Sequence, residues 1–437
     1  MSGYLSDSVS VEGNRKIFTI SAWIKINGTT TNQTIFGAGT AGTNTGKFYF
    51  AISNGVVRIG GGANVFLVTN RVFRDPSSWY HFVCAVDTSQ GTSSNRIKFY
   101  VNGLQETSFS TSTYTIQDLT TAVNENGNTN TFGAEQGGGE SWDGHMTHMV
   151  LVDGAQLTPS NFGETDSTTG EWKPKADPTG VTYGTNGVFM KCENSGNFGL
   201  DSSGQGNNYT ANSFPTGAFS TDSASNNFAT LNPLDNYYAG ATFSEGNLKM
   251  VSASTGSGTT TNAFKTSTFG VTNGKWYWEA KLTNATGYDQ IGISQIIAAG
   301  TASTGVTNDY LGNSIYAYSI RGDSGNFTNN NSSSSYGVSF TTNDIISVAL
   351  DLDNNLIYFY KNGTVMNSGT GKSISAGTYF PSFGKQDPAA VTWQVNFGNP
   401  PFSISSGNSD GAGFGNFEFA VPSGYYALCT KNLNTYG

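Results

Sequence analysis

The chain has 437 residues, 56 of them glycine, and a net charge of −9; 12% of residues are charged and 13% are aromatic. Such a length suits two domains of about 200 residues each, and so few charges leave Ser, Thr, Asn and Gly to cover the surface, where about 25% charged residues is usual. The aromatic content excludes a disordered chain, the absence of any Lys/Arg cluster excludes a nucleic-acid partner, and no run of 18 apolar residues exists for membrane insertion.

Residues 1–10 carry neither a basic nor an apolar signal region, so no secretory leader is expected. The sequons at Asn27 and Asn284 then match at chance level only. From residue 17 the pattern has a period of two: Ile17-Phe18-Thr19-Ile20-Ser21-Ala22-Trp23-Ile24-Lys25-Ile26 reads as a strand with one face in a core. Trp79-Tyr80-His81-Phe82-Val83-Cys84-Ala85-Val86-Asp87 follows, then Ile97-Lys98-Phe99-Tyr100-Val101 and the reversal Asn102-Gly103. Asn-Gly tolerates positive φ at both central positions of a tight turn, so this is a hairpin. Leu157-Thr158-Pro159-Ser160-Asn161-Phe162 is the best short helix. Residues 166–187, with Trp172, Pro174 and Pro178, read as a loop, and polar residues 216–235 read as an inter-domain connection.

The hairpin is then written a second time. Ile345-Ile346-Ser347-Val348-Ala349-Leu350-Asp351-Leu352-Asp353 leads through an Asp-rich turn to Leu356-Ile357-Tyr358-Phe359-Tyr360-Lys361 and Asn362-Gly363. Before it, Lys275-Trp276-Tyr277-Trp278-Glu279-Ala280-Lys281-Leu282 alternates like a central strand. Stretches 252–261 and 329–335 are loop tips too polar to bury. Helical periodicity is nearly absent, and the fold class is all-β: two antiparallel β-sandwich, jelly-roll-like domains in tandem. Trp23, Trp79, Phe99, Trp276 and Phe359 are placed in the cores. Cys84, Cys192 and Cys429 are odd in number and lack CxxC spacing, so no disulfide framework is indicated, and Cys84 reads as a buried thiol.

Four motifs in order, Phe18-Thr19-Ile20-Ser21-Ala22-Trp23-Ile24-Lys25, Trp79-Tyr80-His81-Phe82-Val83, Phe99-Tyr100-Val101-Asn102-Gly103 and Trp142-Asp143-Gly144 through Leu151 to Leu157-Thr158, resemble the laminin-G-like (concanavalin A-like) family. That family's usual first strand and Asp-Ser-Ser-Gly-x-Gly-Asn turn are missing at the start. They resemble Val188-Phe189-Met190-Lys191-Cys192 and Asp201-Ser202-Ser203-Gly204-Gln205-Gly206-Asn207-Asn208 instead. The resemblance therefore implies a circular permutation: a first domain of residues 1–215 with its last strand near 188–195, a linker at 216–235, and a second domain at 236–437. The second domain resembles the SPRY family through Gly274-Lys275-Trp276-Tyr277-Trp278-Glu279, Ile291-Gly292-Ile293, the 344–363 hairpin and Tyr379-Phe380-Pro381-Ser382-Phe383. The tandem, joined by residues 226–235, resembles virion proteins of tailed bacteriophages of marine type. It implies a tail-fibre or similar appendage on the virion surface, made in the host cytoplasm. Its partners would be other virion proteins and a host-surface glycan or protein, with no nucleic acid and no membrane insertion. Homo-oligomerisation, a trimer included, would have to come from sandwich contacts or another chain, because no coiled coil or β-helix period is present. The alternatives are a capsid decoration or fibre-anchoring structural protein and, remotely, a concanavalin A-like glycan-active enzyme.

Enzymes of the last kind need paired carboxylates on one strand face. The nearest match, Glu164-Thr165-Asp166 with Glu171, lies in a polar loop, so no catalytic residue is assigned and no enzymatic activity is expected. His145 and His148, three apart on a strand, point to opposite faces and share no metal; His81 reads as a half-buried strand residue. Calcium is the cation that the laminin-G-like resemblance implies, on Asp87 and Asp143, although both residues also suit turns. Asp351, Asp353, Asn354 and Asn355 lack the Gly and Glu of a calcium loop and read as a hairpin turn. Glycan binding needs exposed aromatic rings beside amides and carboxylates, and Trp142, Tyr310, Tyr316, Tyr318, Arg321 and Asp323 are the candidate ligand-binding set. Alternation puts at least half of those tyrosines in the core, and Arg321-Gly322-Asp323 as an adhesion triplet is a chance match.

Overall fold

Both Asn-Gly reversals form as the sequence requires. Asn102 and Gly103 have φ of 48° and 84°, and Asn362 and Gly363 have φ of 48° and 79°, the left-handed pair that joins Ile97–Val101 to Leu104–Glu106 and Leu356–Lys361 to Thr364–Val365. The structure, a computed structural model, describes residues 3–28, 31–40, 47–215, 218–235, 241–252, 263–295, 310–386 and 389–437. The chain divides into two compact units, Met1–Phe219 and Ser220–Gly437.

The first unit is a sandwich of two sheets. One holds eight strands in the order Phe109–Ser112, Asn64–Val72, Val56–Gly61, Phe48–Ser53, Gln33–Gly39, Thr129–Phe132, Tyr4–Ser8, Thr210–Asn212. The other holds six, in the order Val188–Met190, Gly144–Asp153, Ile17–Ile26, Trp79–Asp87, Ile97–Val101, Leu104–Glu106. Phe18, Ile20, Ala22, Ile24, Phe82, Cys84 and Phe99 meet Phe36, Phe48, Phe50 and Ile59 between the sheets. The strand Val188–Met190 pairs antiparallel with Met149–Leu151, one strand away from Ile17–Ile26. It stops at Met190 rather than near 195, because Cys192 turns out with φ of 60°. A further short strand, Thr210–Asn212, pairs with Tyr4–Ser6.

The six-stranded sheet is buried on both faces. Thr19, Ser21, Trp23 and Lys25 point away from the core yet are covered, because residues 155–187 form a third layer whose Phe162 is buried against Val83, Ala85, Val150, Val152 and Phe189 of the sheet. The short helix expected at 157–162 is the 3-10 turn Pro159–Asn161, and residues 166–187, expected as a loop, belong to a packed cover and supply Trp172–Pro174, which pairs with Gly163–Thr165. Trp23 and Trp79 are buried on this second face rather than between the sheets. Their neighbours Ala22, Ile24 and Phe82 occupy the core, so alternation assigns the two tryptophans to the opposite side.

The second unit repeats the plan. Its larger sheet has the order Ala241–Ser244, Lys249–Ser252, Thr392–Asn396, Lys275–Asn284, Ile345–Asp351, Leu356–Lys361, Thr364–Val365; Lys372–Ser373 and Tyr426–Ala427 pair off this path. The smaller has the order Ala263–Thr266, Phe380–Lys385, Asp289–Ser294, Ala317–Arg321, Phe327–Asn329, Ser332–Ser334. Trp276, Trp278, Phe359, Phe383 and Trp393 fill the space between them. Tyr277 lies on the far side under Phe228, Phe417, Ala427 and Cys429.

Residues 220–235 therefore belong to this unit and are not a free linker. Phe228, Ala229 and Leu231 are buried, Phe228 bridges to Cys429, and Leu231 bridges to Ser267. Their apolar side chains find a core there, which a solvated connection would deny them. Residues 329–335 stay unburied as expected; they form the turn and second strand of the hairpin Phe327–Asn329 with Ser332–Ser334. Of 252–261, Ser252 ends a strand and is buried, and the rest lies outside the described residues. The chain also ends its structure with a helix, Thr430–Tyr436, that strand periodicity does not foretell. All three cysteines are free, and Cys84 is buried. No helix among the described residues is long and apolar enough to cross a membrane.

Trp276 is fully buried, with its Nε1–H donating to the Asn273 carbonyl at 2.8 Å. Trp276→Ala should lower the unfolding free energy of the second unit by about 3–5 kcal/mol in urea titration. A loss below about 1 kcal/mol would contradict this placement.

Candidate functional site

The Asp289–Ser294 strand and its antiparallel partner Ala317–Arg321 bring Gln290 opposite Arg321 at one end of the smaller sheet of the second unit. A tight loop follows: Gly322 N–H donates to the Asp289 carbonyl and Gly325 N–H to the Arg321 carbonyl. It turns Asp323 back so that Arg321 Nε and Nη2 grip its two carboxylate oxygens at 2.7 and 2.9 Å. The guanidinium carbon lies 5.0 Å from the centroid of Tyr288, a ring that is 42% exposed. Val338 is exposed beside this loop, its backbone close to Gly325. The rim thus presents an aromatic face and a planar guanidinium whose charge is already answered. Such a surface favours stacking and hydrogen bonding over capture of an anion.

The six residues singled out from sequence do not form one site. Arg321 and Asp323 join as described. Tyr310 O–H donates to Asn331 Oδ1 at 2.6 Å, and its phenol is pushed up by burial while nearby Arg321 opposes that shift. Tyr316 is exposed. Tyr318 points into the core against Phe327 and Tyr379; its O–H donates to Ser375 Oγ at 3.2 Å and its oxygen accepts from Ser375 N–H at 3.0 Å. Trp142 lies in the first unit and is buried in its core, so it offers no stacking platform. Tyr288 escaped sequence reasoning because it precedes a strand without any pattern of its own; only pairing register brings it beside Arg321.

Calcium finds no joint site at Asp87 and Asp143. Asp87 stands opposite Ile17 and Gly144 opposite Ile26, so the two aspartates lie at opposite ends of one strand, about 30 Å apart. Asp87 is consumed by Ser89 N–H, Ser89 Oγ and Gln90 Nε2, which hold its carboxyl below the usual range against the opposing effect of burial. Asp143 accepts from Asn27 Nδ2 at 3.2 Å. Among the described residues no group of three or more His, Cys, Asp or Glu side chains converges on a metal position.

Glu164 and Asp166 sit on the exposed hairpin of the cover, not in an irregular loop, with Lys173 between them at 3.8 and 2.8 Å. Lys173 and the Thr168 and Thr169 N–H groups drive the Asp166 pKa far down, whereas burial and Asp166 push Glu171 up. Asp351 caps its turn through Asn354 and pairs with Lys275 at 2.8 Å.

The histidines gather on one face. A bulge between Thr147 and Val150, with His148 at φ of 47°, moves His148 to the covered side where His145 also lies; simple alternation would have separated them. His81 is fully buried rather than half-buried, stacked on Trp23 at 4.7 Å. Trp172 Nε1–H donates to His81 Nδ1 at 3.0 Å, and an indole can only donate, so the proton of neutral His81 is on Nε2. Nε2–H then donates to Ser21 Oγ at 2.8 Å. This tautomer cannot take a proton from Ser21, and the pair therefore lacks the nucleophile–base geometry it resembles. Burial pushes the His81 pKa down to about 3, with His148 adding to the shift; His148 itself is pushed down to about 4.

Residues 3–161 match the family model of the concanavalin A-like lectin/glucanases superfamily, and residues 275–400 match that of the SPRY domain. Ran-binding protein 10 of Danio rerio is 31% identical over 133 residues, 30% of this chain and 20% of that protein. Ran-binding protein 9 of Homo sapiens is 32% identical over 133 residues, 30% of this chain and 17% of that protein. The chain thus spans about a fifth of the length of these relatives. Similar solved structures include the SPRY domain of human HERC1, at 18% identity and a TM-score of 0.28, covering 38% of this chain and 96% of that one. Stonustoxin is similar at 23% identity and a TM-score of 0.29, covering 38% of this chain and 27% of that one.

The His81 arrangement has a pH signature. Its folded pKa lies below the unfolded value of 6.5, so the folded state binds fewer protons and the stability it contributes is complete above pH 6.5 and lost as pH falls toward about 3. Between pH 6.5 and about pH 5, above the range where depressed carboxylates titrate, His81→Gln should flatten the pH slope of first-unit unfolding by about 1 kcal/mol per pH unit on average. An unchanged slope in urea titrations would refute the buried neutral imidazole.

Proposed function

From a concanavalin A-like domain followed by a SPRY domain in one chain, we propose that this protein works by binding and not by catalysis. Its place would be a surface appendage of a tailed-bacteriophage virion, a tail fibre or similar part, engaging a host-surface glycan or protein. The observation that carries the binding reading is the rim of Tyr288, Arg321 and Asp323: an exposed ring and a guanidinium fixed by a carboxylate on a rigid sheet end. The partial similarity to proteins named Ran-binding supports a protein partner for the SPRY half. The virion reading rests on the resemblance of the tandem and of its connecting residues 226–235 to phage appendage proteins. Multivalent display in a homo-oligomer would raise the modest affinity of one such rim.

The test is attachment of the purified, fluorescently labelled chain to host cells, with competition against phage adsorption. Tyr288→Ala and Arg321→Ala should each reduce attachment about tenfold. Because Arg321 is internally paired, attachment should persist from low to physiological salt. A chain that ignores host cells but assembles onto virions would replace this reading with a decoration or fibre-anchoring role. Release of reducing sugar from host polysaccharide, abolished by Glu164→Gln or Asp166→Asn, would replace it with an enzyme.

A further inference from the structure

Glycine has no Cβ to shield its amide nitrogen, so an Asn–Gly pair lets that nitrogen attack the carbonyl of the asparagine side chain. The sequence holds seven such pairs, beginning at Asn27, Asn54, Asn102, Asn126, Asn186, Asn273 and Asn362. Reaction needs a side chain able to swing onto the next nitrogen and a glycine N–H able to lose its proton. A hydrogen bond to either group must break first. On that ground the structure separates one pair from the rest.

Six pairs are held. Asn102 Oδ1 accepts from the His81 N–H at 2.7 Å. Asn362 Oδ1 accepts from the Ile345 N–H at 2.9 Å, while its Nδ2 donates to Asp344 at 2.7 Å. The two repeated reversals thus share one device, an amide tied to the preceding strand. Asn186 is buried, and its Nδ2 donates to the Val11 carbonyl at 3.0 Å. Asn273 accepts from the Thr272 hydroxyl, and the Gly274 N–H donates to Asp353 at 2.9 Å. After Asn126, the Gly127 N–H donates to the Val9 carbonyl at 2.9 Å. Asn27 Nδ2 donates to Asp143, whose carboxylate also flanks Gly28 and opposes loss of its proton.

Asn54 differs from all of these. It is exposed in the two-residue turn joining Phe48–Ser53 to Val56–Gly61, with φ of 51° at Asn54 and 79° at Gly55. Neither its side chain nor the Gly55 N–H makes a hydrogen bond among the described residues. Ring closure requires the turn to flex, and here flexing breaks no side-chain bond. We propose that Asn54 is a site of spontaneous covalent modification, deamidation through a cyclic imide. Hydroxide takes the Gly55 amide proton, the nitrogen bonds to Asn54 Cγ, the Cγ–Nδ2 bond breaks, and ammonia leaves with a proton from water. Water then opens the imide at either carbonyl, leaving aspartate or isoaspartate at position 54. The iso form routes the main chain through the side-chain carbons, lengthening a turn built for two residues. The Gly55 carbonyl accepts from the Phe73 N–H at 2.6 Å, so a distorted turn also loosens the anchor of a core ring.

The test is incubation of the full chain in alkaline buffer, then proteolysis, peptide mass mapping and labelling with isoaspartyl methyltransferase. Conversion at Asn54 should run about tenfold ahead of Asn102 and Asn362, the factor set by the bonds those two must break. In concentrated urea, where every pair loses its surroundings, that lead should vanish. Asn54→Gly keeps a turn that Gly-Gly also forms, and should remove most of the label from the folded chain. The separated isoaspartate form should unfold at lower urea than the unconverted chain. The proposal is overturned if Asn54 stays intact while another pair converts, if Asn54 only keeps pace with Asn102 and Asn362, or if Asn54→Gly labels as strongly as the parent. A lead that persists in urea would overturn it too, by assigning the reactivity to local sequence. An isoaspartate form as stable as the unconverted chain would overturn the effect on the turn.

Discussion

Burial of one sheet on both faces governs each half of this protein. A sandwich strand normally answers to one core, and its other face may be polar because water completes the hydrogen bonds. Here that water is replaced by protein, so every polar group on the second face needs a fixed partner or carries a desolvation cost. In the first unit Ser21, His81 and Trp172 answer one another. In the second, Glu279 accepts from Tyr277 O–H, the N–H groups of Glu418 and Phe419, and Asn396 Nδ2, all within 3.3 Å. Burial pushes its carboxyl up, and those four donors hold it back. Two unrelated polar sets thus solve the same problem, and each locks a cover onto its sheet.

This constraint also decides where function sits. The buried titratable groups His81 and Glu279 are spent on holding layers together. What remains available lies at sheet ends and on the faces that no layer covers. There the charge-poor composition means that aromatic rings, amides and single arginines supply the recognition chemistry. Arg321 illustrates this, its guanidinium satisfied by its own loop.

Alternation made the strands legible, and the repeated Asn-Gly hairpin made the tandem legible, since both signals are local. Alternation cannot say which face is the core when both are buried, and for that reason Trp23 and Trp79 fell on the unexpected side. Covering segments such as residues 166–187 and 220–235 have no period because they pack side chains singly onto a finished surface, so they read as loop and linker. The candidate site was half legible: Arg321 and Asp323 are two apart in sequence and meet locally. Tyr288 joins them only through the strand register, and Trp142 and Tyr318 were indistinguishable from exposed aromatics until their burial was known. His148 eluded the period-two rule because a single left-handed residue inserts a bulge.

Tyr4 pairs with Asn212 and Ser6 with Thr210, so the two ends of the first unit are neighbouring antiparallel strands. Whatever chain precedes Tyr4 and follows Asn212 leaves from the same end of that short ladder. Tension drawn through both ends would open its hydrogen bonds one after another, like a zipper, instead of loading them together in shear. Mechanically, that short ladder carries the tension, and the rest of the sandwich hangs from it as a bead hangs from a single point.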